Sequence, residues 1–142
     1  MVSKNYDDKK ILQDIFFGSL ELADPVKKLE KIKFDSPLGR LFFVAVGKGA
    51  GRLAKAFFRT YKGKADGIVV IPENEKCDEL DCEVIKATHP IPSQKGLEAS
   101  YKLVKAISKL GKDDLLIFCI SGGASGLLPF PPEGYGLSLI HI

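Results

Sequence analysis

Residues 41–58 constrain this chain more than any other stretch. Leu41-Phe42-Phe43-Val44-Ala45-Val46 is an unbroken apolar run, preceded by the turn residues Ser36-Pro37-Leu38-Gly39. A run without alternation suits a strand covered on both faces, as in a parallel sheet. Gly47, Gly49 and Gly51 end the strand, and Leu53, Ala54, Ala56 and Phe57 then recur at helical spacing. The reading is strand, glycine loop, helix. Such a loop leaves backbone N–H groups at a helix N-terminus, where the macrodipole also favours an anion, and the missing β-carbons let a phosphate or carboxylate approach closely. Lys48 adds a full positive charge. A tight strand-to-helix turn with a solvated Lys48 explains the same residues, because Gly-x-Gly-x-Gly is an unspecific pattern. The dinucleotide fingerprint would need its third glycine where Arg52 stands, and neither glycine-rich loop closes with the Gly-Lys-Ser/Thr of a Walker A loop.

The chain is 142 residues long, enough for one domain with a proper core, and 45% hydrophobic with 27% charged residues, a balance typical of soluble globular proteins. A net charge of +3 without a dense basic stripe argues against nucleic acid as the partner. Cys77, Cys82 and Cys119 have neither zinc-site nor Cys-x-x-Cys spacing, and Cys119 sits in an apolar run as a small core residue. Lys4, Asp7, Asp8, Lys9 and Lys10 follow Met1 with no apolar signal region, and no stretch is long enough to span a bilayer. A cytoplasmic protein that meets no membrane is the expectation.

Around the central stretch, Ile11, Leu12, Ile15, Phe16 and Leu20 share one face of a helix over residues 8–22. Asp24-Pro25 caps a second, short helix marked by Val26, Leu29 and Ile32. Both are expected to pack on the sheet. Residues 67–71 read as a second buried strand stopped by Pro72, residues 73–81 as an exposed connection, and residues 82–87 as a third strand. That strand runs into Thr88-His89-Pro90-Ile91-Pro92, whose prolines are expected to hold the backbone extended. His89 thus stands at the strand end where open α/β sheets bind ligands, although a histidine before proline can equally be a turn residue. Ser93 then caps a helix whose inward face is expected to be Leu97, Tyr101, Val104, Ile107 and Leu110.

Asp113-Asp114 opens a last buried strand over residues 115–120, and Ser121-Gly122-Gly123-Ala124-Ser125-Gly126 follows it. Small residues and hydroxyls there can form a nest of N–H groups for an oxyanion. The order α-α-β-α-β-β-α-β points to a doubly wound α/β sheet, mostly parallel and Rossmann-like, with helices on both faces. Both glycine loops fall at strand C-termini of that sheet.

Three motifs in this order, Ala45-Val46-Gly47-Lys48-Gly49-Ala50-Gly51-Arg52-Leu53-Ala54, Thr88-His89-Pro90-Ile91-Pro92 with Gly96, and Ile120-Ser121-Gly122-Gly123-Ala124-Ser125-Gly126-Leu127-Leu128-Pro129 with Pro132-Glu133-Gly134, resemble the N-terminal domain of the MOFRL-type glycerate 2-kinases. The resemblance runs from about residue 9 to about residue 136. The family usually has alanine at Gly49, methionine at Leu53, and glycine and alanine at Ala124 and Gly126. It implies an ATP-dependent kinase that phosphorylates D-glycerate to 2-phosphoglycerate with Mg²⁺. Lys48 would then be the catalytic lysine. Gly47, Gly49, Gly51, His89, Ser121, Gly122, Gly123 and Ser125 would bind substrate and phosphate, and no residue is assigned to a metal. Family members also carry a carboxylate base and a second domain. Residues 1–136 therefore read as a partial N-terminal domain, its sheet incomplete at the C-terminus and inactive alone. Residues 137–142, with His141, read as a non-native tail. A homodimer is also considered. The alternatives are a sugar-phosphate-binding module of the phosphosugar isomerase kind and an NAD(P)-dependent hydroxypyruvate reductase.

Overall fold

The computed structural model describes residues 7–77 and 79–138. Its elements are α1 (Asp8–Ala23), α2 (Pro25–Leu29), β1 (Leu41–Val46), α3 (Ala50–Thr60), β2 (Ala65–Pro72), β3 (Glu83–Ala87), α4 (Gln94–Ile107), β4 (Leu115–Ile120) and α5 (Ala124–Leu127). The strands form one sheet in the order β3-β2-β1-β4, and every pairing is parallel. The expected α/β fold is the observed one.

Strand alternation divides the core into two layers. Leu41, Phe43 and Ala45 of β1, with Val69 and Ile71 of β2, meet Leu53, Ala54, Ala56 and Phe57 of α3 and Leu29 of α2. Val44 and Val46, with Ile68 and Val70, meet Ala99 and Leu103 of α4 and Leu127 of α5 on the other face. Phe57 anchors the first layer. Its ring stacks on Phe43 at 4.2 Å and on Tyr61 at 5.3 Å, and meets Phe34 and Phe58 edge-on.

The order of strands also creates a topological switch. From β1 the chain leaves through α3 towards one face, whereas from neighbouring β4 it leaves through α5 on the other. Adjacent strands whose exits diverge open a crevice at their C-terminal ends. At the opposite end, Asp114 ties the two strand entries together. Its carboxylate accepts N–H groups from Arg40 at 2.6 Å and Gly111 at 2.9 Å, with the Arg40 guanidinium at 3.2 Å. These donors hold its pKa down at about 2, the two backbone N–H groups ahead of the guanidinium charge.

Several expectations need correction. Helix α1 buries none of its residues, and Leu12 is 67% exposed, so it does not pack on the sheet. The second helix stops at Leu29, leaving Ile32 exposed beyond it. On α4 the buried face is Gly96, Ala99, Ser100 and Leu103, while Tyr101 and Val104 are exposed. Small residues win there because they let the backbone close in: a Cβ on Gly96 would lie 2.8 Å from the Leu127 carbonyl oxygen. Tyr101 meets Phe130 edge-on instead. Among the described residues β4 is an edge strand, so Cys119 is only half-buried and Ile120 is 68% exposed, unlike the fully buried strand expected. The His89–Pro90 peptide is cis, not part of an extended run. His141 lies outside the described residues.

Phe57→Ala should destabilise the fold by about 3–5 kcal/mol, the usual range for emptying an aromatic core site, read as a lower midpoint in chemical denaturation. Asp114 should leave a mark at acid pH. Because its folded pKa lies below its unfolded value, its contribution is complete above pH ~4 and fades as pH falls through about 2. Asp114→Asn should flatten that part of the stability–pH curve.

Candidate active site

Two loops start at the same height because β1 and β4 run in register, Val46 opposite Ile120. Backbone and hydroxyl groups then lace them together. The Ser121 N–H donates to the Val46 carbonyl at 2.9 Å, and the Lys48 N–H donates to the Gly122 carbonyl at 2.9 Å. The Ser121 hydroxyl accepts the Gly49 N–H at 3.0 Å and donates to the Val46 carbonyl at 3.1 Å. Such an approach requires glycine at position 47. Gly47 has φ +118°, and a Cβ there would lie 2.2 Å from Ser121 Oγ.

Gly123 is the meeting point of three segments. It adopts φ +91°, and a Cβ on it would stand 2.8 Å from His89 Nε2 and 3.5 Å from Lys48 Cε. Lys48 and His89 therefore flank one backbone position. His89 is half-buried and Lys48 is exposed. Gly122 beside them has open space where a Cβ would be, so a ligand can come close to its backbone. A cation, an imidazole and bare backbone converging on one crevice can bind and orient an oxyanion.

The expected site residues do not all share this place. Lys48, His89, Ser121, Gly122 and Gly123 are assembled with Gly47 and Gly49 as their support. Gly51 is buried in the first turn of α3, where a Cβ would face Cys77 Sγ, in the connection after β2, at 3.2 Å. Ser125 instead lines a 540 Å³ apolar cavity with Leu128, Pro129, Phe130 and Tyr135. Gly126, the last residue of the glycine-rich run, packs against the segment that carries His89: a Cβ there would be 2.9 Å from the Pro90 carbonyl oxygen and 3.5 Å from the His89 ring. The thiol of Cys82 belongs to a separate groove with Cys77, and burial above all pushes its pKa up to about 11. Among the described residues no group of three or more His, Cys, Asp or Glu side chains could hold a metal ion, and no helix is long and apolar enough to cross a membrane.

The family model described as Domain of unknown function (DUF4147) matches residues 11–141. The D-glycerate 2-kinase of Thermotoga maritima is 31% identical over 94% of this chain and 32% of its own length. A putative hydroxypyruvate reductase of Agrobacterium vitis is 32% identical over 87% of this chain and 28% of its own. A crystal structure of glycerate kinase from Thermotoga maritima superposes with a TM-score of 0.80 at 31% identity, covering 94% of this chain and 33% of that one. The chain thus spans about a third of the length of these relatives.

Gly47→Ala should cost about 2 kcal/mol or more, since it adds both a clash and a strained φ. Gly49→Ala should stay under about 1 kcal/mol, because a Cβ there keeps an ordinary 3.5 Å contact with Ser121. Urea denaturation of both variants beside the parent measures the contrast.

Proposed function

This chain belongs to the DUF4147 family, the N-terminal domain family of glycerate 2-kinases, and from that premise we propose that it supplies one wall of the active site of an ATP-dependent D-glycerate 2-kinase. The observation that carries the reading is the convergence of Lys48 and His89 on Gly123 at the switch point between β1 and β4. In phosphoryl transfer the protein's work is mainly to position the reactants and neutralise charge on the transferring oxygens. Lys48 is suited to that role as a flexible point charge. His89 approaches the same side-chain position of Gly123 as Lys48 does, and contributes a ring nitrogen to the same anion. The open backbone at Gly122 admits a phosphate or carboxylate oxygen without steric conflict. ATP would supply the phosphoryl group. The described residues assemble no carboxylate cluster for Mg²⁺, so none of these roles is routed through the metal.

The name of the Agrobacterium vitis relative keeps a reductase reading in view. Against it stands Arg52, at the position where the dinucleotide fingerprint has glycine.

The complete gene product, given D-glycerate and ATP, should form 2-phosphoglycerate detectable by ³¹P NMR, and should leave NADH unoxidised with hydroxypyruvate. Lys48→Ala should lower kcat/KM by about 10² to 10³, by analogy with deleting one oxyanion donor. Its melting temperature should barely move, since an exposed loop side chain changes stability by about 0.5 kcal/mol or less. Unchanged turnover would make Lys48 a solvated loop residue.

A further inference from the structure

Ser121 was expected to bind substrate, yet its hydroxyl is already occupied by the protein. A hydroxyl carries a single proton, and anions need donors. The Ser121 proton is directed at the Val46 carbonyl, 3.1 Å away, while Oγ accepts the Gly49 N–H at 3.0 Å. Reaching an anion would cost the first of these bonds. Lys48 is fixed by the same lacing, because its own N–H is held by the Gly122 carbonyl and the next N–H in the chain by Ser121. The loop after β4 therefore holds the backbone of Lys48 on both sides. Gly47 leaves the space in which the hydroxyl sits, since a Cβ there would meet Oγ at 2.2 Å.

We propose that Ser121 is a positioning residue, whose hydroxyl clamps the loop after β1 to the loop after β4 and so fixes where Lys48 presents its ammonium group. Its consequence for turnover rests on the kinase reading, whereas the clamp itself does not. Small displacements of a catalytic group are expensive in rate. Removing a positioning residue lowers kcat and kcat/KM together, while removing a group that binds substrate equally in the ground and transition states raises KM alone.

The experiment compares Ser121→Ala and Ser121→Thr with the parent in the complete gene product. For Ser121→Ala, kcat with D-glycerate and ATP should fall about tenfold with both KM values within about twofold, and hydrogen exchange at the Gly49 amide should speed up about fivefold, the scale of one neutral hydrogen bond. Ser121→Thr keeps a hydroxyl and should recover most of both losses. If Ser121→Ala fails to fold by circular dichroism, Ser121→Cys, a near isostere with a weak donor, is read in the same way. Unchanged Gly49 exchange would overturn the proposal. So would a raised KM with unaltered kcat, which would make Ser121 a direct ligand. A parent protein unable to phosphorylate glycerate would instead overturn the kinase reading, and Gly49 exchange would still decide whether the clamp exists.

Discussion

The parallel pairing of β1 with β4, in the register that sets Val46 opposite Ile120, brings two loops more than seventy residues apart in sequence to one height at one edge of the sheet. Everything in the candidate site depends on it. The Val46 carbonyl accepts both the backbone N–H and the hydroxyl of Ser121, and the Gly122 carbonyl accepts the Lys48 N–H. Shift the register by one residue and these partners separate, while each strand would turn its core residues to the wrong face. The two apolar layers therefore enforce the register that the site requires.

Helix packing adds the third component. Ser93 caps α4, and glycine at position 96 lets that helix lie close to the Leu127 carbonyl. The chain entering α4 thereby carries His89 against Gly123 and Gly126. Three segments from different strand ends meet through missing β-carbons rather than through large side chains. That arrangement leaves backbone accessible to a ligand, as phosphate-handling sites in α/β folds require.

Much of this was legible in the sequence. Unbroken apolar runs marked β1 and β4, both at their observed bounds, and Asp24-Pro25 and Ser93 announced their helices through capping chemistry. Burial was harder to read. On α4 the apolar periodicity pointed to Tyr101 and Val104, but the helix closes through Gly96 and Ala99, because close approach outweighed side-chain size. On α1 a regular apolar stripe says only that something should cover it, and the sheet does not. At the site, residue types were readable but their partners were not: nothing local in the sequence says that the Ser121 proton points at Val46, or that Gly51 faces Cys77. Hydrogen-bond direction and cross-loop contacts come from tertiary register, which a single sequence does not spell out.

The central claim is that Lys48, His89 and residues 122–123 form one anion-binding crevice. Backbone amide and imidazole NMR shifts of the complete gene product, followed during titration with D-glycerate, test it most directly. The account predicts that Lys48, His89, Gly122 and Gly123 shift together along a single saturation curve. Shifts confined to the apolar cavity around Phe130 and Tyr135, with the junction of β1 and β4 unmoved, would contradict it.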